Sequence, residues 1–190
     1  LLSKEHVILF PVSLALSDWI FHGVGLWEPR RRTIYAVLFS CVAAYLLLRL
    51  MLLSNPIHGG TPYFHGSRLI AALTYSQFAL RHYLWPSLTG SGLCSDYTRP
   101  LMPDAEPGSL AAWLALGAWA VLAAAAARAA WRRAPWSFWV LGPGLFLLPT
   151  CHLIIPLDTL GAERFLYIPT MGLAALLGLG FAWGDMRSRT

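Results

Sequence analysis

The sequence predicts an all-α membrane protein, a polytopic bundle of about five transmembrane helices plus one interfacial amphipathic helix, and three observations predict it. First, 57% of its residues are hydrophobic and only 12% charged, with a mean hydropathy of +0.56, where a soluble domain carries roughly a quarter charged residues. Second, five apolar runs approach or reach the roughly 17 to 25 residues that cross about 30 Å of hydrocarbon. Third, the basic residues gather in three short stretches, "EPRRR" (Glu28 to Arg32), "RAAWRR" (Arg128 to Arg133) and "DMRSR" (Asp185 to Arg189), as cytoplasmic connections do. Nine tryptophans and thirteen prolines suit aromatic belts and broken helices.

The apolar runs are His6 to Phe21, Thr33 to Leu53, Leu110 to Ala130, Phe138 to Pro156 and Phe165 to Trp183. With the three arginine-rich connections on the cytoplasmic side, the runs alternately descend and rise. Parity then places Leu1 to Glu5, the segment 54–108 and the loop Pro156 to Glu163 on the lumenal or periplasmic face. A sixth stretch, Ser67 to Trp85, is long enough to span, but spanning would put the later basic loops on the wrong side. Its polar Ser67, Thr74, Gln77 and Arg81 recur at helical spacing, with Leu69, Leu73, Leu80 and Leu84 away from them. That pattern predicts a helix lying in the interface, apolar side down, with a tilted spanning helix in a crowded bundle as the alternative. Between Trp85 and Leu110 the abundance of Pro, Gly, Ser and Asp marks an external loop.

The composition excludes several classes. A nucleic-acid surface needs basic residues on one soluble face with aromatic platforms, and here they sit between apolar runs. Cys41, Cys94 and Cys151 lack ligand-type spacing and are odd in number, so neither a zinc site nor a disulfide framework is indicated. No Gly-rich phosphate loop, nucleophile elbow or zinc-protease motif is present. His58, His65, His82 and Asp96 are metal-type donors, yet loop histidines are more often merely solvated, and no metal is assigned.

Ionisable groups at membrane depth cost roughly 2.5 to 3.5 kcal/mol at a helix centre on insertion scales, so each needs a reason. Lys4, Glu5, Arg49, Arg81, Glu163 and Arg164 all fall towards the external face of this topology, and Asp18 alone lies towards the cytoplasmic end of its run. Two readings stand side by side. The charges form internal ion pairs that hold the bundle together, or the cations Lys4, Arg49, Arg81 and Arg164 bind a lipid phosphate while Glu5 and Glu163 orient them.

Three stretches carry a resemblance: "LLSKEHVILFPVSLALSDW", "LTYSQFALRHYLWPSLTGSGLCSDY" and "LLPTCHLIIPLDTLGAERFLYIPTMG". Together they resemble the membrane region of the transmembrane and tetratricopeptide-repeat protein O-mannosyltransferases and their bacterial relatives, of the GT-C glycosyltransferase class. The Ala-Glu-Arg before "LYIP" is the most specific part. The resemblance implies a GT-C-like fold and transfer of a sugar, mannose in eukaryotes, from a polyprenyl (dolichyl) phosphate donor to a hydroxyl of an acceptor protein. The membrane is then the endoplasmic reticulum of a eukaryote or the inner membrane of a bacterium. Lys4-Glu5, Arg49, the Leu93 to Tyr97 loop and Ala162-Glu163-Arg164 match the family's motifs, and Asp96 is placed on the acceptor side.

The same resemblance implies that the catalytic acidic residue lies upstream of Leu1 and that tetratricopeptide repeats follow Thr190, so residues 1–190 are expected to be one transmembrane domain fragment, inactive alone. Residues Asn55 to His65 lack the Asp-Asn-Pro of the family. No cofactor is indicated by the residues. The competing readings are another polytopic enzyme acting on lipid phosphates, which needs the same outer cations, and a non-catalytic scaffold or transporter module. A transporter calls for Gly- or Pro-interrupted helices near the midplane, and "LGPGLFLLP", Leu141 to Pro149, is the one feature of that kind.

Overall fold

A computed structural model of the chain describes residues 8–23, 28–52, 64, 67–91, 96–97, 103–151, 161–162 and 166–188. These residues are helical apart from connecting turns and one ladder of two short strands. In chain order the helices are α1 (Phe10–Ser17), α2 (Pro29–Leu52), α3 (Arg68–Phe78), α4 (Trp85–Thr89), α5 (Leu110–Trp131), α6 (Trp136–Leu147) and α7 (Tyr167–Ser188). Three are long and apolar enough to cross a membrane, over Arg31–Leu52, Leu110–Trp131 and Tyr167–Met186. They correspond to the second, third and fifth predicted runs. Leu50, Met51, Leu52 and Phe181 are each more than 60% exposed, which is how a helix bathed in lipid is built and how a helix in water is not.

The other two runs are broken, and the sequence contains the breakers. In the first, α1 carries Pro11 in its opening turn, where a missing N–H costs nothing, and after Ser17 it widens into a π turn over Asp18–His22. Gly23, at φ +67°, closes that turn in the left-handed conformation. In the fourth, Pro143 lies inside the twelve-residue α6, and Pro149 sits in the short 3-10 turn that follows it, Leu148–Thr150. The α-helical part is therefore shorter than the predicted run, because proline donates no hydrogen bond to the preceding turn.

That defect is used in packing. Pro143 leaves the Trp139 carbonyl without its ordinary helical donor, and α7 comes against this point at Gly172. A Cβ on Gly172 would lie 2.5 Å from the Trp139 oxygen and would run into the Pro143 ring. Both obstacles are rigid, so Gly172→Ala is expected to destabilise the bundle by about 1–3 kcal/mol. Gly178→Ala, with open space around the new atom, is expected to cost nothing. Thermal midpoints of the two variants in one detergent check this.

The stretch Ser67 to Trp85 supplies many of the buried positions among the described residues. Ser67 caps α3 through its hydroxyl, which accepts from the Ile70 N–H, and α3 runs without interruption through a π turn, Ala79–Leu84, into α4. Leu73, Thr74, Tyr75 and Ser76 are all buried. Four consecutive residues exceed one full turn, so this turn has no side left to rest on a membrane surface. Leu73 and Thr74 are fully buried within the bundle, while Leu69 and Leu84 are exposed. Thr74 satisfies its hydroxyl internally, accepting from the Ala105 N–H at 2.8 Å, and a polar group so paired can be buried.

Small residues let the bundle close. Ala112, Ala115, Ala126, Ala129 and Ala130 are the buried positions of α5, which packs on α3 and α6, as small side chains allow between membrane helices. Ala112 meets Leu73 and Ala105, and Trp119 donates its indole N–H to the Ser76 carbonyl at 3.1 Å. By contrast α2 touches the rest chiefly through α1.

Candidate lipid-phosphate site

The end of the bundle where α6 stops and α7 starts is organised by aromatic packing. Phe78, fully buried, meets Tyr83 edge to face at 4.9 Å and stacks on His82 at 5.1 Å. Phe64, Tyr75, Cys151 and Leu166 complete the same cluster, with Leu147 and Trp119 packed against it. Such contacts require α3 and its π turn to sit beside the α6–α7 connection. Phe64 and the α3 and π-turn residues from Ala71 to Tyr83 thus share one end of the molecule with Cys151 and Leu166.

A backbone ladder joins them directly. Asp96–Tyr97 pairs antiparallel with Gly161–Ala162, Asp96 opposite Ala162 and Tyr97 opposite Gly161. Two of the three stretches that carry the resemblance are therefore hydrogen-bonded to each other, at the residue immediately before Glu163 in the sequence. Of the other candidates, Arg81 is exposed on the π turn of this same end. Arg49 is half-buried near the end of α2, its Nη1 donating to the Tyr45 hydroxyl at 3.2 Å. It stands about 27 Å along the helix from Arg31, at 1.5 Å per residue. Lys4, Glu5, Glu163 and Arg164 lie outside the described residues, as do the Asp96 side chain and the loop from Asn55 to Tyr63. His82 is partnered within the aromatic cluster, and among the described residues no group of three or more His, Cys, Asp or Glu is gathered as for a metal.

The opposite end holds what sequence reading missed. Asp18, 3% exposed, is enclosed by three partners. Arg31 Nη1 lies 2.6 Å from both carboxylate oxygens, the Tyr35 hydroxyl donates to Oδ2 at 2.5 Å, and His22 Nδ1 stands 3.5 Å from Oδ1. Arg31 and Tyr35 are one helical turn apart and so share a face of α2; both grip the π turn of α1. For Asp18 the structural reading of the charges is the right one. A lone carboxylate in an apolar run announces a nearby cation, Arg30 to Arg32 were the nearest in sequence, and the structure pairs Arg31 with Asp18.

The next residue, Trp19, holds a second arginine. Its indole N–H donates to the Ala130 carbonyl at 3.0 Å, its ring meets Trp131 at 6.2 Å, and the Arg133 guanidinium sits 4.8 Å from its centroid. Gly23 makes room, since a Cβ there would stand 2.5 Å from Arg133 Nη1. Two of the three basic stretches therefore meet on consecutive residues of one π turn. The third follows from the run of α7, which starts beside Cys151, passes Trp139 and Pro143 at Gly172, and carries Asp185 to Ser188 on towards the end where α6 begins. Compared with known proteins, the chain matches no family model, no curated protein and no solved structure.

Proposed function

We propose that this chain is the membrane part of a GT-C-type glycosyltransferase that moves a sugar, mannose in the first instance, from a polyprenyl phosphate to Ser or Thr hydroxyls of proteins on the lumenal or periplasmic side. The observation that supports it most is the ladder between Asp96–Tyr97 and Gly161–Ala162, which sets the acceptor-side loop against the segment leading into Glu163-Arg164. Separate functions for these two stretches would not require them to pair. Their end of the bundle is also the one opposite the Arg31 and Arg133 contacts, as an external site demands of a chain whose arginine-rich turns face the cytoplasm.

In the proposed reaction a base takes the proton of the acceptor hydroxyl and its oxygen attacks the anomeric carbon. The bond from that carbon to the phosphate oxygen breaks, and polyprenyl phosphate departs. The part supplied by these residues is electrostatic: Arg164, Arg49 and Lys4 face the departing phosphate, with Arg81 as a further cation, while Glu5 and Glu163 hold them in place. Asp96 contributes on the acceptor side. No catalytic carboxylate is assigned among these residues.

The test is transfer itself. Membranes carrying the complete gene product are incubated with radiolabelled polyprenyl phosphate mannose and a Ser/Thr-rich acceptor peptide. Label in the peptide, dependent on the protein, is expected. Cleavage of the donor with label released to water or to another lipid would instead point to a different lipid-phosphate enzyme, and an untouched donor to a non-catalytic module.

A further inference from the structure

The turn between α5 and α6 has a feature that folding alone does not call for. The Arg133 N–H donates to the Ala130 carbonyl and the Ala134 N–H to the Ala129 carbonyl, the paired bonds of a Schellman helix end. The residue between them must be left-handed, and glycine is the ordinary choice. Here it is Arg133, at φ +58°. A non-glycine residue held in that region signals that its side chain has a task.

Where the side chain goes defines the task. It is delivered to the Trp19 ring, in the notch left by Gly23, so its position is set by three elements rather than by its own rotamers. Among the described residues its guanidinium donates no hydrogen bond and faces no carboxylate; the ion pairs of the neighbouring π turn are made by Asp18 with Arg31 and His22. Contact with a ring leaves the N–H donors unspent, and a guanidinium carries five of them. Arg128 and Arg132, one turn apart on the same face, are likewise exposed and without an acidic partner among those residues. Trp131, Trp136 and Phe21 are exposed around them, as aromatic side chains are at headgroup level.

We infer that this turn is a binding site for the headgroup of an anionic phospholipid, with Arg133 pre-positioned on Trp19 to receive its phosphate and Arg128 and Arg132 beside it. A membrane surface supplies that ligand at the required depth, and an open, ring-supported guanidinium offers phosphate a directional fork rather than a diffuse charge. The site lies at the end of the bundle away from the proposed transferase chemistry and does not depend on it. Basic residues that served only to orient the chain in the membrane would need no such positioning.

The experiment is native mass spectrometry of the full chain released from detergent with an equimolar mixture of phosphatidylglycerol and phosphatidylcholine. Wild type is expected to retain phosphatidylglycerol in preference. Arg133→Gly, which relieves the backbone strain and so spares the fold, is expected to lower that preference about fivefold, the effect of one basic residue near an anionic surface. Arg133→Lys is expected to fall between. Equal retention of the two lipids by wild type, or an unchanged preference in Arg133→Gly, would overturn the proposal. Displacement of the lipid by millimolar inorganic phosphate would overturn it too, by showing a site for free phosphate.

Discussion

Arg31→Leu is expected to lower the stability of the folded bundle by about 3 kcal/mol, seen as an earlier midpoint when the protein is unfolded with SDS in mixed micelles. Removing one partner of a buried ion pair strands the other, and the typical loss is about 3–5 kcal/mol; the lower end applies because the Arg31 side chain is 36% exposed. The asymmetry is the sharper test. Asp18→Asn keeps an acceptor for the Tyr35 hydroxyl and leaves a cation that reaches water or headgroups, so its loss should be nearer about 1 kcal/mol. The double variant Asp18→Asn/Arg31→Leu is expected to recover most of the single Arg31 loss, since no charge is then buried. Equal losses for the two single variants would mean that burial of Asp18 is not what gives the pair its value. Because α2 touches the bundle chiefly through α1, Arg31→Leu is also expected to expose α2 to protease before the other helices.

Arg164→Ala in the complete gene product is expected to slow sugar transfer about 100-fold while membrane insertion and the thermal midpoint stay as in the parent. A donor placed where negative charge develops contributes a factor of about 10² to 10³ to the rate, and the phosphate leaving the anomeric carbon gathers such charge. Arg164→Lys should keep part of the rate, since a point charge replaces a fork. The split between kcat and KM locates the effect: an interaction made only as the phosphate departs lowers kcat and kcat/KM together. Near-normal transfer by Arg164→Ala, in a protein shown to be active, would remove Arg164 from the site.

The two ends of the molecule show how far a sequence of this kind can be read. Three of the long apolar helices were legible because lipid asks little of a helix except length and apolarity, both of which are written residue by residue. The broken runs were less so. Pro143 was visible, but that its freed carbonyl would be met by Gly172 of another helix was not, because two points distant in sequence had to be brought within contact. The burial of Thr74 was hidden for a related reason. A period of polar residues reports where water would lie, and fails when a buried hydroxyl finds its partner in a backbone N–H thirty-one residues away.

What the sequence by itself determined is the class of molecule: a helical chain with segments long and apolar enough to cross a membrane. Pattern suffices for that, since hydrophobicity and charge act on each segment separately. Only the tertiary structure decided which groups answer one another: Arg31 for Asp18, Trp19 for Arg133, and the Asp96–Tyr97 strand for Gly161–Ala162. Hydrogen bonds and ion pairs act over a few ångströms, and which residues come that close is settled by how the turns and proline breaks steer the helices, which no single segment encodes.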